Sequence, residues 1–158
     1  VGFATLPKLF KLRNKVAIRD FPWRFVTGPH MPPEIFNELI AKETNDTFVE
    51  RSRPDLPAVI SRAKLSISQA GYNTIAELMN AGTPAVVVPY EGGVETEQRL
   101  RSDLLAKRSL LQVVDENELN VNNLNNAIYQ ALNTKPVKNL NVSLDGASST
   151  ANLLWSLL

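Results

Sequence analysis

The sequence predicts an α/β fold in which an open parallel sheet carries helices on both faces. Two observations support this prediction. Strand-like and helix-like patterns alternate along the chain, which requires crossover connections between strands. The segment 85–90 is apolar throughout, as expected for a strand buried on both faces of a parallel sheet. In Rossmann-like sheets of this kind, ligands bind beyond the carboxyl ends of the strands.

The first half of the chain alternates between the two patterns. Apolar residues at helical spacing predict a helix over 3–19, with Lys and Arg on its outer side. A β-type run at 23–27 is ended by Gly28-Pro29. Two prolines open a helix over 32–44, because proline is tolerated in a first helical turn. The strand and the short helix that follow are predicted at 47–51 and 54–63.

The second half continues the alternation. A strand at 65–68 leads into a helix over 72–80, which Gly82 ends as a C-terminal cap. The buried strand 85–90 and a glycine-containing loop come next. The remaining elements are predicted as a helix over 95–107, a strand at 110–114 and helices at 121–133 and 145–157.

Length and composition limit the possible functions. A chain of 158 residues suits one domain, so residues 1–158 are predicted to form a single domain. A net charge of +1 gives no reason to expect a nucleic-acid surface. No apolar run approaches the roughly 20 residues of a membrane span. Without cysteine, disulfides and thiolate chemistry are excluded, which fits a reducing compartment.

The start of the chain predicts a fragment. It begins with Val1, without an initiator Met or a visible signal peptide. Val1-Gly2-Phe3 resembles the end of a glycine loop whose preceding strand is absent. We therefore expect a piece of a longer protein.

The segment 66–77 is the most informative part of the sequence. A β-branched run ends in small polar residues, Gly71 follows, and a helix opens with Asn73 and Thr74 in its first turn. Such a helix start presents unpaired N–H groups and the positive end of the helix dipole, which suits a phosphate. The alternative is an ordinary N-terminal cap, because Asn and Thr are good capping residues.

Three further groups of residues are candidates for binding. Glu77 could accept hydrogen bonds from sugar hydroxyls, although, taken alone, this residue is better explained by a favourable interaction with the helix dipole. Glu97 and Gln98 could hold the hydroxyls of a sugar, or simply favour the start of a helix. Arg51-Ser52-Arg53 could frame a base or approach a phosphate, or form a solvated basic turn.

Several motifs are missing. The sequence has no P-loop, no Gly-x-Gly-x-x-Gly fingerprint and no Asp-x-Asp pair for a divalent metal. The only histidine, His30, lies in a predicted loop and is a weak candidate for a general base. A bound diphosphate would then be neutralised by helix termini and backbone donors, without a metal ion or a cofactor.

Taken together, these segments resemble the carboxyl-terminal, donor-binding domain of GT-B glycosyltransferases. The match is closest to glycosyltransferase family 28, which includes the bacterial enzyme that adds N-acetylglucosamine to the peptidoglycan lipid precursor. It runs from about Phe48 to Asn133. The segments that carry it are Ser68–Glu77, Ala81–Pro84, Val87–Tyr90 and Glu97-Gln98.

The resemblance implies roles for the matched positions. Gly71, Asn73 and Thr74 would meet the diphosphate, and Tyr72 between them is included among the donor-binding residues. Glu77 would bind the ribose, Glu97 and Gln98 the transferred sugar, and the Arg51-Ser52-Arg53 loop would lie beside the base. Gln69 stands where a related plant signature has His.

The implied function is the donor-binding half of an enzyme that transfers a hexosyl group from a nucleotide-diphosphate sugar to a hydroxyl acceptor, and the expected donor is a UDP-sugar. The resemblance implies that an amino-terminal acceptor domain, in the same chain or on a partner chain, completes the enzyme, so the isolated chain is expected to be inactive. We expect a cytoplasmic enzyme that is peripheral to the membrane through its acceptor domain. A sugar-nucleotide epimerase and a non-catalytic nucleotide-binding or interaction module are the alternatives.

Overall fold

The computed structural model of the chain describes residues 5–90, 92, 96–134 and 146–156. Strands and helices alternate through these residues. The strands are β1 (Trp23–Val26), β2 (Thr47–Glu50), β3 (Ser66–Ser68), β4 (Ala85–Val87) and β5 (Gln112–Val113). The helices are α1 (Thr5–Leu12), α2 (Pro33–Ile40), α3 (Leu56–Arg62), α4 (Tyr72–Ala81), α5 (Glu97–Ala106), α6 (Val121–Asn133) and α7 (Gly146–Trp155).

All the strand pairs of the described residues are parallel, as predicted, but they form two sheets instead of one. β1 pairs with β2, with Trp23 opposite Thr47. β4 pairs with β3 on one side and β5 on the other, with Ser66 opposite Ala85 and Val86 opposite Gln112. The α/β class with parallel strands is thus confirmed, whereas the prediction of one continuous sheet is corrected. No backbone pairing joins β1 to β3 in the described part of the chain.

Helices cover both faces of these strands. One apolar layer is formed by α1, α2 and α6 and reaches both sheets, because it contains Phe25 of β1 as well as Val86 of β4. The other layer is formed by α3 and α4 and contains Ala85 and Val87 of β4. Successive residues of β4 therefore point into opposite layers, and every one of them is at most 1% exposed. The continuous apolar pattern of this segment is explained by its burial on both sides.

The first helix is shorter than predicted. α1 ends at Leu12, a 3-10 turn follows at Arg13–Lys15, and the backbone becomes extended at Val16. Val16 is fully buried in the layer beneath both sheets, so the chain leaves the helix to insert this side chain into the core. The next residue, Ala17, donates its N–H to Asn125 Oδ1 at 2.7 Å. Tertiary packing at this point overrides the local helical pattern.

The other predicted elements agree with the structure to within a few residues. The helix predicted over 32–44 ends at Ile40, and the strand predicted at 110–114 is confined to Gln112–Val113. The helix predicted at 121–133 has those bounds, and Asn120 caps it by accepting from the N–H groups of Asn122 and Asn123. The predicted Val1-Gly2 loop and residues 3, 4, 95, 145 and 157 of predicted helices lie outside the described residues. Within the described residues, every helix is too short or too polar to span a membrane.

Gly82 is the position where glycine is required by backbone conformation. It caps α4 with φ of 64° and ψ of 22°, and it donates its N–H to Leu78 O. An added Cβ would meet no atom within 4 Å, so the cost of a side chain there comes from the left-handed backbone alone. Gly71, in contrast, has φ of −59°, which any residue adopts.

We predict that Gly82→Ala lowers the free energy of unfolding by about 1–2 kcal/mol. Gly71→Ala is the matched control and should change it by less than about 1 kcal/mol, because its backbone is already compatible with a side chain. Chemical denaturation of the whole 158-residue chain measures both. Equal losses for the two variants would contradict this explanation.

Candidate functional site

The site predicted from the sequence begins where β3 turns into α4. Gly71 is the N-terminal cap of α4, and no side chain caps this helix end. The first backbone hydrogen bond of the helix runs from Ile75 N–H to Gly71 O at 3.0 Å. The N–H groups of Tyr72, Asn73 and Thr74 precede that bond, so the helix itself offers them no acceptor. Together with the helix dipole, they create a positive potential at this point.

Space in front of Gly71 is open. An added Cβ would meet only Thr74 Oγ1, at 3.8 Å, which is an ordinary contact. Neither backbone conformation nor packing therefore requires glycine here. A side chain at position 71 would instead obstruct the approach of another molecule to the amides at the start of α4.

Arg101 adds a positive charge beside this helix start. Its Nη1 donates to Ala70 O at 3.0 Å, directly before Gly71. Its guanidinium lies 5.5 Å from the ring centroid of Tyr72, whose side chain is exposed. Its Nη2 is 3.8 Å from Glu97 Oε2. Because this carboxylate is exposed to solvent, it compensates little of the positive charge of Arg101. The guanidinium and the amides of α4 thus reinforce each other electrostatically.

Sequence reasoning missed Arg101. Its position four residues after Glu97 identifies an ion pair along one helix but gives no sign that α5 lies beside the start of α4. That proximity depends on the parallel pairing of β3 with β4, which brings the segments after both strands to the same edge.

Gln69 is bound to other parts of the chain. Its Nε2 donates to Thr5 Oγ1 at 3.2 Å, and the Thr5 hydroxyl donates to Glu116 Oε1 at 2.5 Å. Thr5 is the first residue of α1 and is almost fully buried. This chain of hydrogen bonds connects the end of β3 to the start of α1 and to the 3-10 turn after β5. Gln69 therefore positions the edge on which the site lies.

Asn73 and Glu77 lie on one face of α4, four residues apart. Asn73 is exposed and Glu77 is half-buried. Glu77 is farther from the helix start than Thr74 and does not line the cavity that Gly71 and Thr74 share. A ligand at the start of α4 would have to extend along the outside of the helix to reach it.

Glu97 and Gln98 are the first two residues of α5. Gln98 Oε1 accepts from the Tyr90 N–H at 3.2 Å, which joins the start of α5 to the segment after β4. The Glu97 side chain is exposed. The predicted loop residues Glu91, Gly93, Val94 and Glu95 lie outside the described residues.

The segment after β2 is largely engaged in the fold. Arg51 Nη1 donates to Met31 O at 2.8 Å, and its guanidinium lies 4.2 Å from the Phe36 ring centroid. Arg53 forms a two-bond ion pair with Asp55 at 2.8 Å, and its hydrogen bonds hold the pKa of that carboxyl below its usual range. Ser52 is exposed between them. Arg51 can face a ligand only with the part of its guanidinium that Met31 and Phe36 leave open.

A cavity of about 710 Å³ brings part of the predicted site together. Gln69, Gly71 and Thr74 line it, as does Gly28, which follows β1. The other predicted site residues do not line it: Arg51, Ser52, Tyr72, Asn73, Glu77, Glu97 and Gln98. His30 is exposed in the turn after Gly28. In the described part of the chain, no three His, Asp or Glu side chains converge as metal ligands would.

The sequence pattern of the family described as "Glycosyltransferase family 28 C-terminal domain" matches residues 25–153. The chain is 31% identical over 127 residues to the UDP-N-acetylglucosamine--N-acetylmuramyl-(pentapeptide) pyrophosphoryl-undecaprenol N-acetylglucosamine transferase of Natranaerobius thermophilus, covering 76% of this chain and 34% of that protein. It is 31% identical over 129 residues to the NDP-glycosyltransferase YjiC of Bacillus subtilis, and the match covers 80% of this chain and 30% of that protein. The chain thus spans about a third of the length of these relatives.

Solved structures share the fold. Acinetobacter baumannii MurG has a TM-score of 0.64 at 19% identity, covering 98% of this chain and 48% of that one. The glycotransferase of kitacinnamycin has a TM-score of 0.65 at 19% identity, and the match covers 84% of this chain and 32% of that one. These likenesses confirm the predicted α/β architecture, and the matched residues confirm the resemblance seen in the sequence: the chain belongs to the glycosyltransferase family 28 C-terminal domain family.

Proposed function

We propose that this chain is the donor-binding half of a glycosyltransferase that uses a nucleotide-diphosphate sugar, specifically a UDP-sugar. The observation that supports this most directly is the uncapped start of α4 at Gly71, with Arg101 beside it. Amide donors, a helix dipole and a guanidinium are suited to the oxygens of a diphosphate. Membership of family 28 supports the same assignment, since the relatives are named as UDP- and NDP-sugar transferases.

The donor is proposed to extend from the start of α4 in two directions. The diphosphate binds the amides of Tyr72, Asn73 and Thr74. The ribose hydroxyls reach Glu77 along the outer face of α4, and the transferred sugar lies at the start of α5. The base lies toward Ser52 and the open side of Arg51, and Gln69 holds the edge of the site in place through Thr5.

The reaction places the greatest electrostatic demand on the diphosphate. When the bond between the sugar C1 and the diphosphate oxygen breaks, negative charge accumulates on the leaving nucleotide. Donors fixed in advance stabilise that charge without reorganising during the reaction. We propose that the α4 amides and Arg101 meet this demand without a metal ion or a cofactor.

Acceptor binding is proposed to lie outside residues 1–158. An amino-terminal domain, in the same chain or on a partner chain, supplies the hydroxyl acceptor site and the general base. The isolated chain then binds donor without transferring sugar. We place the assembled enzyme in the cytoplasm, peripheral to the membrane through the acceptor domain, by analogy with relatives whose name includes pyrophosphoryl-undecaprenol.

Two other functions predict different behaviour. A sugar-nucleotide epimerase would invert the configuration at one carbon of the donor's sugar. It needs acid and base groups beside that carbon. A non-catalytic interaction module would bind neither UDP nor UDP-sugars. Calorimetry of the 158-residue chain with UDP and with UDP-N-acetylglucosamine separates the module from the two nucleotide-binding functions.

Gly71→Val tests the proposed approach of the diphosphate. We expect UDP binding to be abolished, because the branched side chain would occupy the open space in front of the amides. Stability should change little, since φ at position 71 is −59°. Gly82→Ala is the matched control, with reduced stability and normal UDP affinity. Unchanged UDP affinity in Gly71→Val would contradict the assignment.

Glu77→Ala tests the ribose contact. If the carboxylate accepts hydroxyl hydrogen bonds, the variant should bind UDP more weakly by about 1–3 kcal/mol. Uridine diphosphate analogues that lack ribose hydroxyls should bind the wild-type and variant chains with similar affinity. A loss of the same size for UDP and for the deoxy analogue would assign Glu77 a structural role.

Arg101→Met tests the charge beside α4. We expect UDP binding to weaken by about 1–2 kcal/mol, because the partly exposed guanidinium is one of several donors to the diphosphate. Binding of uridine, which has no phosphate, should not change. Arg108→Met removes the same charge from an exposed position just beyond the far end of α5 and should leave UDP affinity intact. Equal effects of the two variants would assign only a general electrostatic role to Arg101.

A further inference from the structure

The outer face of α5 is open to solvent in the described part of the chain, although it carries two large apolar side chains. Leu100 and Leu104 are 63% and 51% exposed, and they lie one turn apart on this helix. Single exposed leucines are common on protein surfaces. Two at this spacing form one apolar patch, and the other exposed residues of α5 are polar. Such a patch on an otherwise polar helix is typical of a contact surface.

The other sides of α5 are occupied by the fold. Ser102 is fully buried and marks the side that faces the sheet. Arg101 joins one flank of the helix to the segment before α4, and Arg99 joins the other flank to the segment after β5. Leu100 and Leu104 are each two residues, or about half a helical turn, from Ser102. Both leucines therefore point away from the rest of the domain.

A charged residue stands at each end of this apolar patch. Glu97 precedes Leu100 by three residues, and its side chain is 82% exposed. Lys107 follows Leu104 by three residues and is also exposed. Because the backbone of Lys107 is still helical, with φ of −57° and ψ of −24°, it continues the face of α5. We call these four residues the outer stripe; their spacing of three, four and three residues is that of a helix face that packs on another helix.

The outer stripe is complementary to itself. If two copies of α5 lie antiparallel about a two-fold axis at the level of Ser102, Leu100 of each copy faces Leu104 of the other. The same axis places Glu97 of each copy opposite Lys107 of the other, so both charge pairs are attractive. A parallel arrangement would instead bring two glutamates together at one end and two lysines at the other. A shift of one turn would separate both charge pairs, so charge complementarity selects one direction and one register.

We propose that the outer stripe is a docking surface for a second copy of this chain, which packs its own α5 antiparallel against it. Burial of the leucines supplies the attraction, and the charge pairs set direction and register. A second copy fits better than an unrelated partner, because the order of acid, two leucines and base matches its own antiparallel image. The contact is small, so the dissociation constant is expected to be on the order of 10⁻⁴ M.

Charge reversal tests the antiparallel geometry. Self-association of the 158-residue chain and its variants is measured by sedimentation equilibrium without nucleotide. Glu97→Lys and Lys107→Glu should each weaken self-association by about tenfold, because like charges then face each other twice in the symmetric dimer. An equimolar mixture of these two variants should form heterodimers about as strong as the wild-type dimer, because every charge pair across the two-fold axis is then attractive again.

Removal of the leucines tests the apolar part of the contact. The double variant Leu100→Ser with Leu104→Ser should abolish self-association, because the charge pairs alone are exposed to solvent and contribute little. The matched control is Leu153→Ser with Leu154→Ser on α7, where the two leucines are 63% and 59% exposed. This control removes the same number of exposed leucines from another helix and should leave self-association unchanged.

Three results would overturn the proposal. One is a chain that stays monomeric up to about 1 mM, which would assign the outer stripe to a different polypeptide. Another is self-association that the α7 control abolishes and the α5 variant does not. The third is a mixture of the two charge variants that associates no better than either variant alone. Because no nucleotide is present, these results do not depend on the proposed donor binding, and failure of UDP to bind would leave them unchanged.

Discussion

The parallel pairing of β4 with β3 is the interaction on which the site depends. It places the segments after both strands at one edge. The hydrogen bond from Val88 N–H to Ser68 O extends the pairing to Ser68, the last residue of β3. The start of α4 and the start of α5 are neighbours for this reason. Burial of β4 between two apolar layers fixes this pairing, because a shift of one residue would exchange the layers that its side chains enter.

Side-chain hydrogen bonds then hold the backbone of this edge in place. Arg101 binds the carbonyl before Gly71, Gln98 binds the amide of Tyr90, and Gln69 binds Thr5. Each of these side chains comes from a segment next to the carboxyl end of β3 or β4. The result is a helix start whose amides are fixed before any ligand arrives, which is the condition for strong electrostatic stabilisation.

Much of the fold could be predicted because local patterns report it. The apolar run at 85–90 indicates two-sided burial, and Gly82 marks a helix end that needs a left-handed residue. The helix at 121–133 combines a periodic pattern with an Asn cap. The end of α1 was not predictable, because Val16 leaves the helix to fill a core built by distant segments.

The site was predictable only in part, because some of its contacts join segments that are far apart in the sequence. The turn at Gly71 is local, so the sequence identifies it. The contribution of Arg101 depends on its contact with Ala70, which lies 31 residues earlier, and strand pairing brings these two segments together. Arg51 was expected to face a ligand, but its partners, Met31 and Phe36, come from the connection between β1 and β2, 15 to 20 residues earlier in the sequence. Contacts of this kind are set by topology and not by local pattern.

The central claim is that the amides at the start of α4 bind a diphosphate without metal. The most direct measurement is an NMR titration of the chain with UDP in the presence of EDTA, in which the backbone amides are observed one by one. Our account predicts saturable shifts at Tyr72, Asn73 and Thr74 that are larger with UDP than with uridine. Binding of UDP that leaves these three amides unperturbed, or binding that requires a divalent cation, would contradict it.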